Sequence, residues 1–281
     1  MRHFVITLNF LAALLISCTS QNHEAVSFET KILGHRGSGA NYASDLEANS
    51  FTSVKNGFEN LHGAEVDIQC SKDGTIWLYH DADLPENDMG LLCFPTSTDS
   101  EIMELFAQDT ARSITKLEDI FILINQMDKK PLLSLDVKGY FPNGCFEKAS
   151  APNAYFEQLA EGISYLLNKY NLYNNVMVET NYKYFLDLIR SSEPNIECYL
   201  LGYQDFNEKV DEALSKSYHG VSYRYSDENL DKKAVEAAQQ KGLKVMLWAV
   251  YKENDFRMVM DWKPDLVQIG NIDLLKNLSS I

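Results

Sequence analysis

From residue 131 onward the chain repeats one rhythm: an apolar stretch short enough for a strand, then a stretch with helical spacing. Residues 131–138 (PLLSLDVK) read as a buried strand and 155–169 as a helix, followed by strand 175–179 and helix 184–190. The series continues with strand 196–201, helix 209–214, strand 220–223 and helix 231–241, which Gly242 stops in the left-handed conformation. Strand 243–250, helix 254–261 and strand 266–269 end it. Alternation sustained this long predicts a TIM-type (β/α)8 parallel barrel in a single domain. The rival doubly wound sheet would ask for Gly-x-Gly-x-x-Gly after a strand, and the chain has none.

Before residue 131 the pattern is different. A short strand at 31–34 leads to a helix over 46–58, with apolar residues at 51, 54 and 58 and Ser50 or Asp45 as its cap. Residues 63–69 alternate as a strand, and Asp73-Gly74 signals a hairpin into 75–79. If those two residues are the whole turn, Lys72 pairs with Thr75, Asp67 faces His80 and Glu65 faces Ala82. Glu65, Asp67 and His80 then share one face, while Val66, Ile68, Trp77 and Tyr79 bury the other. Helices follow at 102–106 and 117–127, the second capped by Thr115.

The residues able to do chemistry cluster at these strand ends. Gly34-His35-Arg36-Gly37 closes the first strand, with glycines that permit close backbone approach and an arginine suited to grip a phosphate. Asp136 and Lys138 put two opposite charges at the end of an otherwise apolar strand, where a barrel holds its site. Glu65, Asp67 and Asp136, converging without thiolate or clustered histidine, select a hard divalent cation, Ca or Mg. Tyr203, Tyr223 and Trp248 lie near strand ends and are candidates to line a pocket.

In order, GHRG, EANS, AEVDIQ, KDGTIWLYHD and LLSLDVK resemble the bacterial glycerophosphodiester phosphodiesterase family, with weaker likeness at Trp248-Ala249-Val250 and Gln268-Ile269-Gly270. The resemblance spans about residues 32–272 and implies a phospholipase C-like phosphodiesterase barrel whose β-hairpin carries the second histidine. It further implies His35 and His80 as general acid and base, Glu65, Asp67 and Asp136 as metal ligands, and Arg36 and Lys138 as phosphate holders. The implied reaction is hydrolysis of a glycerophosphodiester to glycerol 3-phosphate and an alcohol. Two positions depart from the family: Ala48 stands in an acidic position, with Glu47 one residue early as a possible substitute, and Asp136 replaces a glutamate. The alternatives are a lyase forming a cyclic phosphate, and a non-catalytic binding protein on the same barrel.

Arg2 and His3 precede an apolar run at 4–16 that ends Leu-Ile-Ser-Cys18, which resembles a lipoprotein signal with Cys18 as the lipidated residue. The expected layout is signal peptide 1–17, tether 18–30 and barrel 31–281, exported to the bacterial cell envelope and held to the membrane by lipid alone. An exported chain permits disulfides; Cys93 and Cys145, in loop sequence, are the favoured pair, and Cys70 reads as a buried thiol. A formal net charge of −15 excludes the basic footprint that nucleic-acid binding requires, leaving a small phosphodiester as the expected partner.

Overall fold

The computed structural model describes residues 30–39, 46–81, 84, 93–109, 112–139 and 151–275. The expected signal peptide, Cys18 and the rest of the tether up to residue 29, Asp45, Ala82 and Cys145 lie outside the described residues. Within them the chain forms β1 (Lys31–Gly34), α1 (Phe51–Asn60), β2 (Gly63–Cys70), β3 (Ile76–Leu78), α2 (Asp99–Gln108), β4 (Thr115–Lys116) and α3 (Leu117–Gln126). There follow β5 (Leu132–Val137), α4 (Ala151–Tyr170), β6 (Val176–Thr180), α5 (Lys183–Ser192), β7 (Glu197–Gly202) and α6 (Phe206–Ser215). The chain ends with β8 (Gly220–Arg224), α7 (Lys232–Gln240), β9 (Lys244–Val250), α8 (Glu253–Trp262) and β10 (Leu266–Ile269).

Eight of the strands run parallel in the order β1-β10-β9-β8-β7-β6-β5-β2, and β1 pairs back onto β2 to close the barrel. The expected fold is the observed one. The helices cover its outside: Val66, Ile68, Leu135, Val178, Leu200, Val221 and Leu247 point outward into one continuous core with Phe121, Ile163, Phe185 and Val210. Each such fully buried side chain contributes about 1.5–3 kcal/mol. Tyr223 belongs to this outer core, fully buried, with its hydroxyl on the Gln204 carbonyl; it packs in the core and does not face the barrel mouth, where the sequence reading had placed it.

Inside the barrel the alternate residues stack in layers. The floor is apolar, made by Leu33, Met177, Tyr199, Met246 and Leu266. Above it Ser134, Glu179, Ser222 and Gln268 are polar and almost wholly buried. All eight residues of β2 are buried, with Ala64, Val66, Ile68 and Cys70 outward and Glu65, Asp67 and Gln69 inward. Period-two alternation therefore holds here with both faces covered.

The hairpin departs from expectation in one residue. Ser71 N donates to Thr75 O at 2.9 Å, so three residues, Lys72, Asp73 and Gly74, make the connection. Gly74 takes φ +90°, the left-handed position that ends a three-residue hairpin loop. Ile68 pairs with Leu78 and Cys70 with Ile76, and Tyr79 N donates to Asp67 O at 2.9 Å. Asp67 thus faces Tyr79, not His80, because one extra loop residue moves the register by one. Trp77 and Tyr79 consequently leave the Val66/Ile68 face and join a separate cluster with Leu84, Phe94, Ile102, Leu105 and Phe106. Asp99 secures the loop, accepting hydrogen bonds from Ser71, Thr75 and Trp77.

Two caps resolve differently. Ser50 caps α1 by accepting from Ser53 N, as read from the sequence. Thr115 does not cap α3; it sits in the short β4 and accepts from Phe51 N at 3.0 Å, tying α1 to the excursion. Cys93 is disulfide-bonded, whereas Cys70 and Cys198 are free and buried. Burial pushes both thiols up to about 12. No described helix is long and apolar enough to cross a membrane.

Candidate active site

The carboxyl-terminal mouth of the barrel collects charged side chains from β1, β2 and β5. Past Gly34 the chain turns sharply, with Arg36 at φ 56° and Gly37 at φ 107°. A left-handed non-glycine residue costs about 1–2 kcal/mol. Here the turn is held because Arg36 N donates to Glu65 Oε2 at 2.8 Å and Gly37 N to Glu65 O at 2.9 Å. A side chain at residue 37 would run into Ser53 and Val54 of α1, so glycine is required for the close approach.

Glu65, Asp67 and Asp136 come together as the sequence suggested. Parallel pairing puts Glu65 beside Ser134 and Asp67 beside Asp136, and one oxygen from each carboxylate lies within 4.8 Å of the others. Glu65 and Asp67 are each 1% exposed. Arg36 Nε stands 3.1 Å from Asp67 Oδ2, and Lys138 Nζ stands 2.8 Å from Asp67 Oδ1 and 2.5 Å from Asp136 Oδ2. Burial alone would raise Asp67, but the Lys138 and Arg36 cations hold it well below the usual carboxylate range. Glu65 is raised, by burial first and then by the charges of Asp67 and Asp136; Asp136 is raised by burial despite Lys138. Glu65 Oε1 is buried with no hydrogen-bond partner.

The two histidines are held differently. His35 N donates to Ile269 O at 2.9 Å, and its Nε2 lies 3.7 Å from Glu65 Oε2. Burial and the adjacent Arg36 guanidinium lower His35 to about 3. His80 lies beyond the end of β3, where the Gln69 amide donates to the carbonyls of Tyr79 and Asp81 on either side of it. Its place is set by these two hydrogen bonds rather than by strand pairing, and from there it is near enough to bear on the electrostatics of Asp67, Asp136 and His35. Asp81 Oδ1 is 2.9 Å from His80 Nδ1.

Glu47 is not in the cluster. Its carboxylate accepts from Ser113 N and Oγ, both at 2.8 Å, and braces the excursion. The neighbouring Asn49 is the residue that enters: Nδ2 donates to Asp67 Oδ2 at 2.8 Å, and Oδ1 accepts from Asp67 N at 3.1 Å. The asparagine of the EANS motif, not its acidic position, carries this signal. Glu179 was also missed. It is the single charge in the buried strand VMVET, the same signal that singled out Asp136, and it pairs laterally with Asp136. Burial raises it to about 7.

On the far side of the mouth, Tyr182, Asn181, Leu201 and Tyr203 line a 260 Å³ cavity together with Asp136 and Lys138. Tyr203 packs edge-on to Trp248 at 5.9 Å. Trp248 lies near the end of β9 beside Ala249, whose φ of 65° marks a strained bulge where the β9–β10 register also shifts.

Fold and site together define a (β/α)8-barrel enzyme with an acid-lined mouth flanked by two histidines. Residues 35–274 match the model of the Glycerophosphoryl diester phosphodiesterase family. The chain belongs to that family and is a phosphoric diester hydrolase. A glycerophosphodiester phosphodiesterase of Caldanaerobacter subterraneus subsp. tengcongensis is 22% identical over 257 residues, covering 89% of this chain and 98% of that protein. Among solved structures, a glycerophosphodiester phosphodiesterase from Parabacteroides distasonis superposes with a TM-score of 0.70 at 17% identity, over 90% of this chain and 98% of its own. An Oleispira antarctica phosphodiesterase in complex with the product sn-glycerol-3-phosphate gives 0.68 at 15% identity, also over 90% and 98%. At these identities the solved structures attest to the shared fold.

Proposed function

We propose that this protein hydrolyses glycerophosphodiesters to glycerol 3-phosphate and an alcohol with the help of one divalent cation, Ca or Mg, held by Glu65, Asp67 and Asp136. The observation that carries the reading is the three-carboxylate cluster, in which Glu65 Oε1 is buried without a partner. A buried carboxylate oxygen left unpaired is costly, and an all-oxygen donor set suits a hard cation. Such an ion would supply charge stabilisation at the phosphoryl oxygens.

Arg36 and Lys138 are assigned to the phosphate. In this structure both are engaged by Asp67 and Asp136; once those carboxylates are otherwise neutralised, the guanidinium and ammonium can turn toward phosphate oxygens. His35 is assigned as general base, because a neutral imidazole can accept a proton from the attacking hydroxyl. His80, exposed to the mouth and paired with Asp81, is assigned as the acid that protonates the leaving alkoxide. Asn49 orients Asp67 from both its amide atoms. That intact brace favours a working enzyme over a binding protein on the same barrel, despite Ala48.

The test is product analysis with glycerophosphocholine and glycerophosphoethanolamine. Glycerol 3-phosphate as the phosphorus-containing product supports hydrolysis, a cyclic phosphate points to the lyase, and no turnover of any diester overturns the enzymatic assignment. We further propose that Cys18 is lipidated and anchors the protein to the cell envelope. Fatty-acid labelling lost in Cys18→Ser supports this; retained labelling rejects it.

A further inference from the structure

Beside the three carboxylates the barrel interior holds a fourth that pairs with no cation among the described residues. Glu179 is 1% exposed and lies on β6 as the lateral partner of Asp136. Three donors from three different strands meet its two oxygens: Ser134 Oγ at 2.8 Å, Ser222 Oγ at 2.5 Å and Gln268 Nε2 at 2.5 Å. None of the ion pairs among the described residues includes it; the buried Lys138 and the half-buried Arg36 are engaged by Asp67 and Asp136. Of the four carboxylates, Asp67 and Asp136 hold the Arg36 and Lys138 cations, whereas no Lys or Arg ion pair among the described residues reaches Glu65 or Glu179. Neutral His35, 3.7 Å from Glu65, compensates neither.

Two buried carboxylates without such a partner are costly to ionise in the metal-free protein, and one divalent ion would match the charge of both. We propose, on the reading of Glu65, Asp67 and Asp136 as a divalent-cation site, that Glu179 is its non-ligating anion, raising cation affinity by its charge from the adjacent strand β6. Its oxygens are already occupied by the hydroxyl and amide donors, so it does not compete as a ligand. The donors fix where that charge sits. This role requires the carboxylate charge. A hydrogen-bond hub that merely ties β5, β6, β8 and β10 together would not.

The two roles give opposite results in one substitution. Glu179→Gln keeps the shape and removes the charge, and the hydroxyls of Ser134 and Ser222 can reorient to its amide. Calorimetric titration of calcium into chelator-treated protein should show Glu179→Gln binding about 10- to 100-fold more weakly than wild type. Its metal-free melting temperature should hold or rise, its calcium-induced rise in melting temperature should shrink, and Glu179→Asp should recover most of the affinity. Unchanged calcium affinity in Glu179→Gln overturns the proposal, as does a metal-free variant that melts lower or fails to fold. Wild type that binds neither calcium nor magnesium would instead reject the cation site itself, a failure the Glu65→Gln control distinguishes by losing binding only where a site exists.

Discussion

His35 and His80 approach the same carboxylates from structurally unlike ground. His35 ends a barrel strand, its backbone bonded across to β10 and its ring buried against Glu65. His80 lies outside the sheet, one residue past Tyr79, whose ring stacks on Phe94 at 5.0 Å in the satellite cluster. The first position follows from the closure of the barrel. The second depends on a three-residue loop, the Gln69 amide and a small apolar cluster that the barrel itself does not require. A barrel strand end is thus a rigid mount, whereas the second histidine is carried on an excursion with its own, smaller store of packing energy.

The largest effect is expected from removing either imidazole. His35→Ala and His80→Ala should each lower kcat about a hundred- to ten-thousand-fold while the fold persists. A wild-type rate in either variant would remove that histidine from the chemistry. Next comes the mount of His80. Phe94 is fully buried, so Phe94→Ala should cost about 3–5 kcal/mol of local stability and reduce turnover without weakening calcium binding. Loss of calcium affinity in that variant would show that excursion and carboxylate cluster are one unit, erasing the contrast.

Smaller effects refine the same contrast. Gly74→Ala places a side chain in a left-handed position and should cost about 1–2 kcal/mol, read as a shift in denaturant midpoint. A neutral result would mean that the loop does not hold residue 74 in the left-handed conformation. A pH-dependent effect concerns His35, lowered from 6.5 to about 3 in the folded protein. Between those values the unfolded chain takes up a proton that the native state refuses, so stability rises with pH there. This contribution is complete above pH 6.5 and is lost as the pH falls toward 3. Metal-free wild type should therefore lose denaturant midpoint more steeply than His35→Gln across that window. Parallel profiles would contradict the burial of a neutral imidazole.

What was legible from sequence follows the same division. The barrel was readable because eight buried strands separated by helices leave few other closures, and because strand periodicity puts Glu65 and Asp67 on one face whatever the loops do. Asp136 stood out as a charge in an apolar strand. Glu179 gave the same signal in VMVET, but it belongs to no motif that drew attention to it. The hairpin register was not legible, since Asp73-Gly74 suits both a two-residue turn and the end of a three-residue loop. The choice is made at long range, by Asp99 gripping Ser71, Thr75 and Trp77. Glu47 and Asn49 were exchanged for a related reason. Which of them enters the site depends on the left-handed turn at Asn49 and on Ser113, sixty-six residues from Glu47.

The central claim is that the buried carboxylates at the mouth serve a cation-dependent hydrolysis. The direct measurement is release of glycerol 3-phosphate by chelator-stripped protein before and after calcium or magnesium is restored. The account predicts negligible turnover in chelator, recovery on adding one of the two ions, and no recovery in Glu65→Gln. Full turnover in chelator would contradict it.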